Sequence, residues 1–94
     1  MDQPGDHVRE EVILSATDRA ILQVLTESRD RVVSRDSLLR LAGLDNVSAR
    51  RADSSLVVLR KLLGAENLIT VRRRGWMLSE DAHKAAVALL EREI

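Results

Sequence analysis

The sequence predicts a mainly α fold with a small β component: three core helices, a β-hairpin, and an additional C-terminal helix. Three observations carry this. Apolar residues recur at helical spacing in stretches that each follow a serine. Two β-prone segments flank Arg72-Arg73-Arg74-Gly75. An alanine- and leucine-rich run follows Ser79.

Taken in order, residues 1–7 are polar with Pro4 and Gly5 and read as a disordered tail, and Val8 to Leu14 are the only residues ahead of the first helix able to supply a strand. Helix one should start after Ser15, with Asp18 completing a capping-box pair. It should run to about Ser28, with Ile21, Leu22 and Leu25 inward. Asp30 and Arg31 belong to a turn. Helix two starts after Ser34, passes through Leu38, Leu39 and Leu41, and stops at Gly43. Leu44 to Val47 make a short connection of the kind that helix-turn-helix units use.

The third helix, residues 49–63, is the most telling. Ser48 can cap its free amides and Gly64 suits a left-handed closing residue. Ala52, Leu56, Leu59 and Leu63 form one apolar stripe at about 100° per residue. Opposite lie Arg50, Ser54, Val57 and Lys61, with Arg51 and Val58 on the flank, a surface suited to phosphates and thymine methyl groups. Arg60 and Lys61 also favour the negative end of the helix dipole, so alone they say little. Leu68 to Val71 and Trp76 to Leu78 then form the hairpin, with Thr70 on its first strand and Arg72, Arg73 and Arg74 at its tip. Three guanidiniums on a rigid turn repel one another unless an anion neutralises them, and a basic tip of this kind suits a minor groove.

In the last helix Ser79 can cap, and Glu80 and Asp81 sit at the positive end of the dipole. Ala82, Ala85, Ala86, Leu89 and Leu90, continuing to Ile94, make a stripe that something must cover. Both the domain itself and a partner chain remain open as the cover. Ala82, Ala86, Leu89 and Leu90 are therefore candidate oligomer or partner contacts, including those of a homodimer.

The order and wording of four segments resemble the winged-helix effector domain of OmpR/PhoB-type response regulators. They are Leu14-Ser15-Ala16-Thr17-Asp18 with Ile21-Leu22 and Leu25; Val32-Val33-Ser34-Arg35 with Leu38 and Leu39; Ser48 to Gly64 with Asp53 and Leu59-Arg60-Lys61; and Ile69-Thr70-Val71-Arg72 with Gly75-Trp76. The resemblance implies a winged helix-turn-helix domain over residues 8–78, with residues 79–94 as an appended helix. It implies a bacterial transcriptional regulator that binds double-stranded DNA, with recognition helix 49–63 in the major groove and wing 72–75 in the minor groove. The chain departs from the family pattern at Val57 and Val58, where long polar side chains are usual, and at Arg73, where glycine is common. Of the family's opening sheet only Val8 to Leu14 could supply a strand, and the receiver domain has no counterpart, so a stand-alone domain is expected. The alternative is a protein-interaction module that docks another regulator or RNA polymerase through Val57, Val58 and the last helix.

Composition agrees with one small module. The 94 residues have Trp76 as the only aromatic and no cysteine, which excludes disulfides and thiolate metal sites. No apolar run approaches about 20 residues, and residues 1–6 lack the features of a signal peptide, so a cytoplasmic, nucleoid-associated protein is expected. Formal net charge is zero, yet the charge is segregated. Between residues 48 and 78 seven cations face only Asp53 and Glu66, whereas both ends are acidic. Arg29, Arg31, Arg35 and Arg40 lie amid acids and read as an ordinary solvated face.

Catalysis finds no support. His7 and His83 are far apart, belong to no metal-ligand spacing, and read as surface residues without a role. Asp53 lacks a carboxylate or histidine partner for acid-base work and reads as an early-helix acid favourable to the dipole or paired with a nearby arginine. No cofactor, metal or small-molecule substrate is expected.

Overall fold

Every described helix begins at a serine whose hydroxyl accepts a hydrogen bond from a first-turn amide. The structure, a computed structural model, describes residues 14–92. The expected tail of residues 1–7, the possible strand up to residue 13, and Ile94 lie outside the described residues. Ser15 accepts from the Asp18 amide at 3.0 Å and the Asp18 carboxylate accepts from the Ser15 amide at 3.2 Å, the reciprocal pair of a capping box. Ser34, Ser48 and Ser79 accept from the amides of Ser37, Arg51 and Ala82. The helices so started are α1 (Ala16–Glu27), α2 (Arg35–Leu41), α3 (Ala49–Leu63) and α4 (Glu80–Arg92), with β1 (Leu68–Val71) and β2 (Gly75–Leu78) between the last two.

The two glycines expected to end helices do so differently. Gly43, at φ +74°, donates to the Arg40 carbonyl while Leu44 donates to Leu39, the paired closure that a left-handed residue permits. This ends α2 at Leu41 and leaves residues 42–48 as the connection to α3, longer than a three-residue turn. Gly64 has φ +105° but ψ 143°, so it is not left-handed helical as expected. Closure of α3 passes instead to Asn67, whose side-chain amide donates to the Leu63 carbonyl at 2.7 Å.

α1 is central and packs against α2, α3, α4 and β2. Its Ile21, Leu22 and Leu25 are inaccessible, and they meet Leu38 of α2 together with the whole predicted stripe of α3, Ala52, Leu56, Leu59 and Leu63. The hairpin pairs Leu68 with Leu78, Ile69 with Met77, Thr70 with Trp76 and Val71 with Gly75. Gly75, read from sequence as part of the turn, is the first residue of β2. A third element joins it: Val33 donates to Trp76 at 2.8 Å and Trp76 to Val33 at 2.9 Å, which ties the approach to α2 onto the hairpin. Gly75 makes this possible, since a Cβ on it would lie 2.0 Å from the Val33 carbonyl oxygen.

α4 packs on its own chain, chiefly on α1. Ala82 and Ala86 have no exposed surface, and Leu89 and Leu90 are half-buried against the core. The expectation that these four residues contact a partner is thus corrected for the two alanines, because their small side chains let α4 approach the core until no surface remains. Ala85, counted in the same stripe, is exposed. His83 is not an idle surface residue either: it is half-buried, and its Nε2 donates to the Thr26 carbonyl at 3.2 Å. Glu80 pairs with Arg29 at 3.3 Å, and Ser79 is held by Asn67 through both its amide and its hydroxyl.

Two outcomes follow from this packing. Gly75→Ala should cost on the order of 3 kcal/mol, read as a fall in Tm of more than about 10 °C by circular dichroism. A chain ending at Ser79 uncovers the face of α1 beneath Ala82 and Ala86, and its thermal unfolding should lose the cooperativity that the intact chain retains.

Candidate nucleic-acid interface

α3 buries one side and offers the other. Arg50, Ser54, Val57 and Lys61 are exposed on the outward side, with Arg51 and Val58 also exposed. Arg50 and Arg51 stand in the first turn, where no acid accompanies them. Cations at the positive end of a helix dipole are unfavourable by about 0.3–1 kcal/mol each, so an anion bound at this end of α3 would be stabilising.

The two valines have different surroundings. Val57 is 55% exposed and lines a cleft of about 450 Å³ between α3 and the hairpin, whereas Val58 is 39% exposed and does not line it. One residue turns a helix by about 100°, which puts Val57 on the side of Asp53 and Arg60 and Val58 on the side of Arg51 and Leu62. Neither packs under α4, because both keep more than a third of their surface in solvent.

The cleft has an apolar floor of Leu56, Leu68 and Trp76 and a polar rim of Arg35, Asp53, Arg60, Lys61 and Thr70. Its geometry is set by two arginines. Arg35, from α2, donates to both Asp53 carboxylate oxygens at 3.0 and 3.4 Å, and its guanidinium carbon lies 5.7 Å from the centroid of the Trp76 ring. Arg60, from α3, donates to the Leu68 carbonyl at 3.3 Å and to the Thr70 hydroxyl. One arginine spans α2, α3 and β2, and the other spans α3 and β1. Asp53 therefore pairs with an arginine, one of the two roles open to it from sequence, and that arginine is Arg35, which sequence reading assigned to an ordinary solvated face. Arg60 and Thr70, both candidate DNA contacts, meet each other. Arg60 remains exposed, and a guanidinium carries five N–H donors, so the internal bonds leave others free.

At the tip the Arg74 amide donates to the Val71 carbonyl at 2.9 Å, and Arg73 has φ +65°. Arg72, Arg73 and Arg74 are exposed, and none has an ion pair or acceptor among the described residues. A second hollow of about 320 Å³ joins Arg73 and Arg74 to Ser34, Arg35 and Trp76. Val57 and Lys61 of α3 thus line the cleft, Arg73 and Arg74 line the neighbouring hollow, and Arg35, Thr70 and Trp76 are common to both. Ala82 and Ala86 lie in the core instead. Arg35 and Trp76 are additions that only the tertiary pairing reveals. Among the described residues no cluster of three His, Asp or Glu side chains is placed to hold a metal, and no helix is long and apolar enough to cross a membrane.

A family model described as transcriptional regulatory protein, C terminal, matches residues 9–78. The match ends on the last residue of β2, so α4 lies beyond it. Neither the curated proteins nor the solved structures contain a match to the chain.

The exposure of the valines has a direct stability readout. Val57→Ala and Val58→Ala should each change the unfolding free energy by no more than about 0.5 kcal/mol, whereas Leu59→Ala, at a position with no exposed surface, should cost about 2–5 kcal/mol. Denaturant titration of the three variants measures the contrast.

Proposed function

The chain belongs to the OmpR/PhoB-type family of transcriptional regulatory C-terminal domains, which are winged-helix DNA-binding domains, and from that membership we propose that it is a sequence-specific regulator that reads double-stranded DNA with two elements at once. α3 enters the major groove, presenting Arg50, Arg51, Ser54, Val57, Val58 and Lys61. The hairpin carries Arg72, Arg73 and Arg74 to the adjacent minor groove. Arg60 and Thr70, bonded to each other, set the spacing between the two and contact the phosphate strand that runs over the cleft.

The single observation behind this reading is the set of three exposed arginines, without a partner among the described residues, on a hairpin anchored beside an exposed helical face. Among the described residues no acid neutralises them, and an external polyanion would relieve their mutual repulsion. The valines shape the kind of reading: they cannot make bidentate hydrogen bonds and instead suit thymine methyl groups. Specificity then rests on methyl contacts and groove shape more than on polar pairs.

The protein-docking alternative fares less well. It draws on the apolar stripe of α4, and Ala82 and Ala86 of that stripe are buried within the chain. What it retains is Val57 and Val58, which stand among cations. The DNA reading also places the protein on the nucleoid, where any pairing of two copies falls to surfaces other than those alanines.

Binding to duplex DNA across a salt series tests the proposal. Replacing Arg72, Arg73 and Arg74 together by alanine should weaken specific and non-specific binding alike and flatten the slope of log K against log salt by up to about three. The fold should persist, since all three are solvent-facing. A triple variant with unchanged affinity removes the basis of the reading.

A further inference from the structure

The middle of the outward side of α3 holds no long side chain. Arg50 and Arg51 stand in its first turn and Arg60 and Lys61 in its last, and between them the exposed residues are Ser54, Val57 and Val58. The fold has no need of valine at either position. Both keep more than a third of their surface in solvent, and β-branched residues are poorer helix formers than the alanine, lysine or glutamine that suit an exposed helical site. A helix with such a middle can approach a surface more closely than one with arginines there, and what it then presents is methyl groups. Val57 is the better placed of the two: it is 55% exposed, and it lines the cleft toward the hairpin, which Val58 does not.

We propose that Val57 makes α3 a reader of the pyrimidine 5-methyl group itself, so that 5-methylcytosine is accepted in place of thymine and methylation of cytosine raises the affinity of sites that carry cytosine there. The inference rests on the DNA-binding reading above and adds to it a specificity-determining residue and a means of regulation, a reaction that transfers a methyl group to C5 of cytosine in duplex DNA. In the major groove thymine displays a methyl group on C5, and 5-methylcytosine displays the same group at the same ring position. The two bases differ beside it, at C4, where thymine has an oxygen acceptor and cytosine an amino donor. Telling them apart takes a committed donor or acceptor next to the methyl contact. Valine is neither. Ser54, three residues earlier on the outward side, has a hydroxyl that both donates and accepts and so serves either base. Asp53, four residues earlier, is an acceptor, but Arg35 holds both of its oxygens. Lys61, four residues later, is a rotatable point charge that fixes no hydrogen-bond direction.

The test begins with selection of a site by the intact chain from a randomised, unmethylated duplex pool, after which uracil replaces each thymine of that site in turn. At one thymine the loss of the methyl group should weaken binding about fourfold, the worth of one methyl group taken out of water. With cytosine at that position and guanine opposite, 5-methylcytosine should bind more tightly than plain cytosine by about the same factor. Val57→Ala should level both comparisons and Val58→Ala neither, and both variants keep the fold because neither side chain belongs to the core. A selected site at which no uracil matters, a methylated cytosine bound no more tightly than a plain one, a Val57→Ala variant that still distinguishes them, or a Val58→Ala variant that does not, overturns the assignment and leaves the DNA-binding reading standing. A pool from which the intact chain enriches no site refutes sequence-specific reading itself, and the assignment with it.

Discussion

The backbone rung between Val33 and Trp76 is the contact on which the interface depends. A two-stranded hairpin by itself is marginally stable in water; β1 and β2 pack on the helices through Leu68 and Leu78, and the approach to α2 is bonded to the hairpin in both directions. The rung requires the backbones to come closer than any Cβ would allow, which is why Gly75 precedes Trp76. Once Trp76 is fixed, its ring lies beneath Arg35 and its cross-strand partner is Thr70. Arg35 then reaches Asp53 on α3, and Thr70 accepts from Arg60 on the same helix. The spacing between helix and hairpin is thus set from both sides of the cleft by groups that the rung positions.

Neither of these links is strong by itself. The Arg35–Asp53 side chains are 45% and 48% exposed, and an ion pair so accessible contributes about 0.2–1 kcal/mol at most. Their effect on the electric field is larger than their effect on stability. Asp53 and Glu66 are the only acids between residues 48 and 78, and the partner of Asp53 comes from outside that segment. The carboxylate that would otherwise cancel part of the charge on α3 is compensated by an arginine of α2, and the seven cations of the segment keep their sum. A chain of zero formal charge can therefore present one strongly positive face.

Local rules made most of the fold legible. Capping serines, the stripe of Ala52, Leu56, Leu59 and Leu63, and the β-prone segments around the arginines each depend on neighbours within one helical turn or one hairpin, and the structure has them where those rules put them. What was illegible depends on distance along the chain. Arg35 looked like one solvated arginine among several because Asp53 is 18 residues away. His83 looked idle because the Thr26 carbonyl is 57 residues away. Gly64 failed its expected role for a related reason: Asn67 satisfies the last carbonyl of α3, and a side chain that does this cannot be told from sequence apart from one that faces water. The cover of α4 was undetermined because alanines at helical spacing suit close approach to a helix of the same chain as well as to one of another.

The unit defined by similarity and the unit defined by packing are consequently not the same. Similarity ends at residue 78, yet Ala82 and Ala86 beyond it are as inaccessible as Ile21 or Leu59. The junction is built as an interior joint: Asn67 closes α3 with its amide nitrogen, accepts from the Ser79 hydroxyl with its amide oxygen, and accepts from the Ser79 amide with its backbone carbonyl. One residue thereby binds the end of the proposed recognition helix to the start of α4. α1 is covered from within the chain, and the outward side of α3 has no part in that cover. Glu80, paired with Arg29, places an acid of the C-terminal segment beside the end of α1 instead of beside the arginines of the hairpin. α4 therefore completes the core while leaving the basic face open.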